Sequence, residues 1–177
     1  LKLSVAALED LFNGLLDISR LDASVVTVHA QDIALAPVLG DIAREFSGDA
    51  RAQGLELRVR CAPLTVRSDA LLLGRVLRNL LSNALRYTVS GGVLLACRRR
   101  ASGVVIEVWD TGIGIAPDAQ AAVFDEFYQC GNPERDRNQG LGLGLAIVRR
   151  LLSLLGHPLE LRSAPGRGSV FRVFSRQ

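Results

Sequence analysis

The stretch Asn79-Leu80-Leu81-Ser82-Asn83-Ala84-Leu85-Arg86-Tyr87 places polar side chains at steps of four and three within an otherwise apolar run. That spacing belongs to one ridge of an α-helix. Leu77, Leu80, Leu81, Ala84 and Leu85 fill the opposite side, and the period predicts a helix over 69–87. Asparagine is a poor helix former, so two of them on one ridge need a reason. Two readings stay open on this segment alone. One is a solvated polar stripe. In the other, amide oxygens ligate a hard cation such as Mg²⁺ that also holds phosphates, with Arg86 one turn on meeting the same phosphates.

Downstream, Asp110-Thr111-Gly112-Ile113-Gly114-Ile115 follows a predicted strand over 104–109. A carboxylate at a strand end, backed by glycines, either accepts a hydrogen bond from a ligand amine or caps its own turn. Val123-Phe124-Asp125-Glu126-Phe127 reads as part of a third helix over 119–127. A polar segment, 130–139, reads as a mobile loop. It leads into Gly140-Leu141-Gly142-Leu143-Gly144, which opens an apolar helix over 143–155. Glycines at a helix N-terminus let backbone N–H groups approach an anion, so the run is either a phosphate site or a hinge. It is neither a Walker loop nor a dinucleotide fingerprint, since no Gly-Lys-Ser/Thr follows and Leu145 stands where a third glycine belongs. Gly166-Arg167-Gly168-Ser169 closes the set.

Upstream, an apolar stripe from Leu1 through Leu8, Leu11, Leu15 and Ile18 to Leu21 predicts a helix over 1–22. It is already running at Leu1 without a capping residue, as expected of a helix that starts further upstream. It is either a bundle or coiled-coil arm or a helix packed on the adjoining domain. Val25, Val26 and Val28 suggest a short strand, and Pro37 is expected to open a helix reaching Gln53, ended by Gly54. Strands are expected over 55–60, 64–67, 93–98, 104–109, 159–162 and 169–174, with the 93–98 and 104–109 pair as a hairpin. Helices and strands mix without strict alternation. The expected class is α+β, a two-layer sandwich with helices on one face of a mixed, mostly antiparallel sheet.

The 177 residues suit one domain, and 49% apolar content is enough for a core. The charge of +3 comes from scattered basic residues with few aromatics between them, which argues against a nucleic-acid partner. The longest uncharged runs are eleven residues, against the roughly 20 of a membrane-spanning helix. Cys61, Cys97 and Cys130 match no zinc spacing and no disulfide framework, so three thiols in a reducing, cytoplasmic compartment are expected. His29 and His157 are too far apart, and too poor in carboxylate neighbours, to build a metal site.

Taken in order, these motifs resemble the ATP-binding catalytic domain of sensor histidine kinases, within the ATPase family that includes gyrase, MutL and heat-shock chaperones. Asn79 to Thr88 is similar to the family's N box, 110–115 to its first glycine box, and 124–127 to its phenylalanine box. The stretches 140–144 and 166–169 are similar to its later glycine boxes. The resemblance covers 36–177, with 23–35 as a linker strand region. Residues 1–22 resemble the end of a dimerisation and phosphoacceptor helix.

The resemblance implies Mg-ATP as ligand. Asn83 would hold Mg²⁺, Arg86 would contact phosphate, Tyr87 would pack beside the nucleotide and Asp110 would accept from the adenine amine. Gly112, Gly114, Ile115, Phe127, Gly140, Leu141, Gly142, Leu143, Gly144 and Ser169 would complete the ATP site, with Arg135 and Arg137 in its lid. It implies transfer of the γ-phosphate to a histidine on a dimerisation domain, upstream of this stretch, and relay to a response-regulator receiver domain. It also implies a homodimer in the full protein, which is either cytoplasmic or the cytoplasmic part of a membrane-anchored sensor. The rival readings are an ATP-hydrolysing or serine-kinase relative, or a nucleotide-binding module without transfer activity. Asn79 stands where hydrolysing relatives carry a glutamate, and an amide has no useful basicity for activating water. Ser169 replaces the usual threonine and keeps the hydroxyl.

Overall fold

The computed structural model describes residues 26–129 and 142–175, together with Gly14, Leu16 and Ser19. The chain runs β1 (Gln31–Ala34), α1 (Leu35–Ala52), β2 (Glu56–Cys61), β3 (Thr65–Ser68), α2 (Ala70–Arg86), β4 (Gly92–Arg100) and β5 (Gly103–Asp110). A 3₁₀ turn (Ala122–Phe124), α3 (Gly144–Leu155), β6 (Leu159–Ala164) and β7 (Gly168–Ser175) follow. Five strands form one sheet in the order β2-β4-β5-β7-β6, with only β2 and β4 parallel; β1 and β3 form a separate antiparallel pair. The α+β reading and the 93–98/104–109 hairpin are both present.

Alternation in the strands explains the layering. Val93, Leu95, Cys97, Val104, Ile106, Val108, Phe171 and Val173 turn to one face and join Leu73, Leu77, Leu80, Leu81, Leu151 and Leu152 of the helices in a single core. Leu77, Leu80 and Leu81 are fully buried, each worth about 2 kcal/mol relative to exposure. On the other face, Glu107 is held by Arg98 and Arg172 at 2.8 Å each, and Arg172 lies 5.5 Å from the Trp109 ring centroid.

Helix α2 is started by a side chain. Asp69 Oδ1 accepts the N–H groups of Leu71 and Leu72 at 3.0 Å, satisfying two of its orphan donors. Its Oδ2 accepts the His29 N–H at 2.8 Å and so ties the entering chain to the helix. Helix α3 ends at Gly156 with φ 70, and His157 follows, buried, with Nε2 2.8 Å from Ser68 Oγ. Gly14 is helical and buried, with Leu143 Cδ1 2.7 Å from where a Cβ on Gly14 would stand.

Four expectations need correction. Residues 26–30 have no regular structure, and the strand begins at Gln31. Val26 and Val28 pack on the core, but the residues that find a partner are 31–34, opposite 65–68. Helix α1 begins at Leu35 rather than Pro37, whose missing N–H falls in the first turn where no intrahelical partner exists. The helix expected over 119–127 is one 3₁₀ turn. Only Val123 is buried there, Asp125 is extended (ψ 149) and Phe127 has φ 62, so no second apolar turn exists to continue it. Finally, Cys61 and Cys97 are joined in a disulfide; Cys130 lies outside the described residues. The bond depends on strand register, which a sequence spacing does not display.

The burial of His157 has a measurable consequence. Burial pushes its imidazole below the ordinary histidine range. The folded form therefore resists protonation while the unfolded chain accepts a proton below roughly pH 6.5. Stability is full above that pH and declines as pH falls toward the depressed value. Thermal midpoints measured from pH 7.5 to 5.5 should fall in the wild type and be flatter in His157→Gln; parallel slopes would assign the effect elsewhere.

Candidate functional site

Three segments converge at one end of the sheet. Strand β5 ends in Asp110, whose Oδ1 accepts the Gly112 N–H at 2.8 Å and the Ser169 N–H at 3.2 Å. Its Oδ2 takes no hydrogen bond from a described residue, and since no buried side-chain oxygen among the described residues lacks a partner, this oxygen is accessible to solvent. Burial pushes the Asp110 carboxyl above the ordinary range, and the Gly112 and Ser169 N–H groups offset part of that rise. An anionic acceptor with one oxygen fixed and one free suits an amine donor on a ligand.

The turn after Asp110 is threaded under its neighbours. The Ile113 N–H donates to the Tyr87 carbonyl at 3.1 Å, and the Gly166 N–H donates to the Ile113 carbonyl at 2.8 Å. Gly114 has φ 71, and a Cβ there would stand 2.0 Å from the Ala164 carbonyl oxygen; Gly168 has φ 84, and its Cβ would stand 2.0 Å from the Asp110 carbonyl oxygen. Both are positions of left-handed backbone and closest approach, where only hydrogen fits. Gly168→Ala should therefore cost about 3 kcal/mol, lowering the thermal midpoint by roughly 6–12 °C. A midpoint within 2 °C of wild type, with the resolution of a calorimetric scan, would contradict this geometry.

The second segment is the polar ridge of α2. Asn79 donates its amide N–H to the Arg75 carbonyl at 2.9 Å, which turns Oδ1 outward. A Cβ on Gly144, the first residue of α3, would lie 3.2 Å from Asn79 Oδ1 and 3.9 Å from Asn83 Oδ1. The two carboxamides thus face the N-terminal end of α3 across a gap a glycine keeps open. The Asn83 amide has no hydrogen bond with a described residue. Carboxamide oxygens are hard donors, and a hard divalent ion that keeps waters and phosphates as its other ligands needs few of them. The residues present fit Mg²⁺ in that manner. No group of three His, Cys, Asp or Glu side chains suited to a metal exists among the described residues.

The third segment joins the 3₁₀ turn to α3. Phe124 packs edge-on against Phe171 with centroids 6.3 Å apart, Arg149 lies over its ring, and Arg150 pairs with Glu126 at 2.6 Å. The Phe127 N–H donates to the Gly142 carbonyl at 3.0 Å, and Phe127 itself is 53% exposed. Leu143 is buried at the start of α3, and Ile115 is half-buried with its N–H on Ser163 Oγ at 2.7 Å. Tyr87 caps α2 and is half-buried.

Asp110 is thus hydrogen-bonded to Gly112 and Ser169, with Gly114 in the same turn, and Asn79 and Asn83 lie across a narrow gap from Gly144. Arg86 is exposed and lines a cavity of about 300 Å³ between α1 and α2, with Phe46, Asp49, Gln53, Ser82 and Leu85. Gly140, Leu141, Arg135 and Arg137 lie outside the described residues. Sequence reasoning missed Ser163. Its hydroxyl receives the Ile115 N–H and meets the Gly168 carbonyl at 3.0 Å and Ser169 Oγ at 2.8 Å. It also missed Thr111, whose hydroxyl bridges the Ser90 carbonyl and the Gly92 N–H at 3.0 Å each. Ser163 stands in no glycine motif and on no periodic ridge, whereas Thr111 lies inside the 110–115 glycine motif, where only Asp110 and the glycines pointed to a role.

Residues 68–177 match the family described as histidine kinase-, DNA gyrase B-, and HSP90-like ATPase. Over 96% of its length the chain is 36% identical to the virulence sensor protein BvgS of Bordetella bronchiseptica, of which it spans 14%. It is 31% identical, again over 96% of its length, to the sensor histidine kinase AtsR of Burkholderia thailandensis, of which it spans 29%. Among solved structures, full-length ShkA in complex with AMPPNP superposes with a TM-score of 0.82 at 33% identity, covering 93% of this chain and 35% of that one. The Acinetobacter baumannii histidine kinase AdeS has the same fold, with a TM-score of 0.82 at 20% identity over 97% of this chain and 79% of its own. The chain spans less than a third of these two curated relatives.

Proposed function

Because the chain belongs to the histidine kinase-, DNA gyrase B-, and HSP90-like ATPase family, we propose that residues 36–177 are the ATP-binding catalytic domain of a two-component sensor histidine kinase. Residues 1–22 are then the end of a dimerisation and phosphoacceptor helix, and 23–35 connect the two. The observation that carries this reading is the pair of carboxamides, Asn79 and Asn83, facing the first residue of α3, beside an aspartate with one oxygen uncommitted.

In this reading adenine docks against Asp110 Oδ2 through its exocyclic amine. The phosphates run toward Asn83 and the N-terminal end of α3, whose N–H groups favour anions. Mg²⁺ bound with the nucleotide neutralises phosphate charge and holds the phosphates for in-line displacement. Tyr87, Ile115, Phe127 and the glycines of 140–144 surround the nucleotide, and Arg86 supplies further positive charge. A histidine imidazole nitrogen on the dimerisation domain attacks the γ-phosphorus; the bond to the bridging oxygen breaks and ADP leaves. The phosphoryl group then passes to an aspartate of a receiver domain. Asn79 offers no base for activating water, which favours transfer over hydrolysis. The full protein acts as a homodimer, and this portion works in the cytoplasm; no helix among the described residues is long and apolar enough to cross a membrane.

Calorimetric titration with ATP, with and without Mg²⁺, tests the site. Micromolar-to-millimolar binding strengthened by Mg²⁺ is expected, and no heat in either buffer overturns the proposal. Adding the protein's own phosphoacceptor hairpin and radiolabelled ATP should then yield acid-labile phosphate on the hairpin. Steady release of free phosphate without the hairpin would favour a hydrolase instead.

A further inference from the structure

Parallel pairing sets Cys61 of β2 opposite Cys97 of β4, with Cα atoms 4.6 Å apart and the sulfurs bonded. That separation lies within the roughly 4.4–6.8 Å that disulfides span without backbone movement. Cys97 is 5% exposed, whereas Cys61 is half-buried on an edge strand whose one sheet partner is β4. The stretch between the two cysteines contains β3 and the whole of α2, hence Asn79, Asn83, Arg86 and Tyr87. The backbone hydrogen bonds of the β2–β4 pair hold the two cysteines in register whether or not the sulfurs are joined.

We infer that Cys61 and Cys97 form a reversible thiol-oxidation site, opened by glutathione and closed by a low-molecular-weight disulfide such as oxidised glutathione. The accessible Cys61 thiolate attacks one sulfur of oxidised glutathione and expels one glutathione thiolate. The Cys97 thiolate then attacks the Cys61 sulfur of the mixed disulfide and expels the second. Two electrons pass from the cysteine pair to the oxidant, and the two cysteine protons are released. Reduced glutathione runs the same steps backwards. Closing the loop of 36 residues' separation restricts the unfolded chain and so stabilises the segment that carries the polar ridge. The inference rests on strand register and holds whatever ligand the ridge binds.

The test equilibrates the 177-residue chain in glutathione buffers from fully reduced to strongly oxidised, quenches with acid, alkylates free thiols with a maleimide and maps peptides by mass. Three alkylated cysteines are expected in the reduced sample. In the oxidised sample one is expected, Cys130, alongside a peptide joining Cys61 to Cys97. The thermal midpoint should fall by roughly 5–10 °C on reduction. Cys61→Ser and Cys97→Ser should show no redox-dependent shift. Three free thiols in the most oxidising buffer, a bond persisting in millimolar reduced glutathione, or a cross-link to Cys130 would each overturn the inference. The wild-type measurements stand even if a serine variant fails to fold.

Discussion

Asp110→Asn should lose about 3 kcal/mol of ATP affinity, near 100-fold, while its thermal midpoint holds or rises. Asparagine keeps an oxygen for the Gly112 and Ser169 N–H groups, so the turn survives. At the other position it replaces an acceptor with an NH₂ donor, which meets the adenine amine donor to donor. The stability expectation follows from burial, which raises the Asp110 carboxyl above its ordinary range. At neutral pH the carboxylate is charged in both folded and unfolded chains, and the folded form bears the desolvation penalty. Asparagine removes that penalty, and its benefit shrinks as pH falls through the raised value. By the same sign, wild-type ATP affinity should start to fall on acidification above the ordinary carboxylate range. Titration of both proteins with ATP and with inorganic triphosphate checks the assignment. Equal losses for the two ligands would show that Asp110 does not read the base.

Asn83→Ala should abolish the gain in ATP affinity that Mg²⁺ provides and leave affinity in EDTA unchanged. Losing even a supporting partner of a metal typically costs about 10–100-fold, and Asn83 is proposed as one of very few protein ligands. Its amide has no hydrogen bond with a described residue, so the substitution orphans nothing among them. Alanine is also the better helix former, by up to about 0.7 kcal/mol, so helicity and thermal midpoint should be preserved or improved. Titrations at several Mg²⁺ concentrations make the comparison. A variant whose Mg²⁺ dependence matches wild type removes Asn83 from the metal site and directs attention to Asn79, whose Oδ1 faces the same gap.

What this sequence determined by itself is local. Asn79 and Asn83 share a ridge because helical geometry repeats every 3.6 residues, whatever else is nearby. The same period put Leu77, Leu80, Leu81, Ala84 and Leu85 on the apolar side of that helix. Asp110 was visible because it ends an apolar run and is followed by glycines. What the tertiary structure decided is everything that depends on which distant segments meet. Val25 to Val28 looked like a strand, yet 31–34 is the segment with a partner across from it. The phenylalanine segment had apolar residues at helical spacing, but contacts from Phe171 and α3 hold it as a single turn. Ser163 and Gly168 reach Asp110 through the β5–β7 and β6–β7 registers, and Cys61 reaches Cys97 through β2–β4. Such registers are set by packing of the whole core. A one-residue slip would reverse the face of every side chain in a strand, and no short stretch of sequence contains that information.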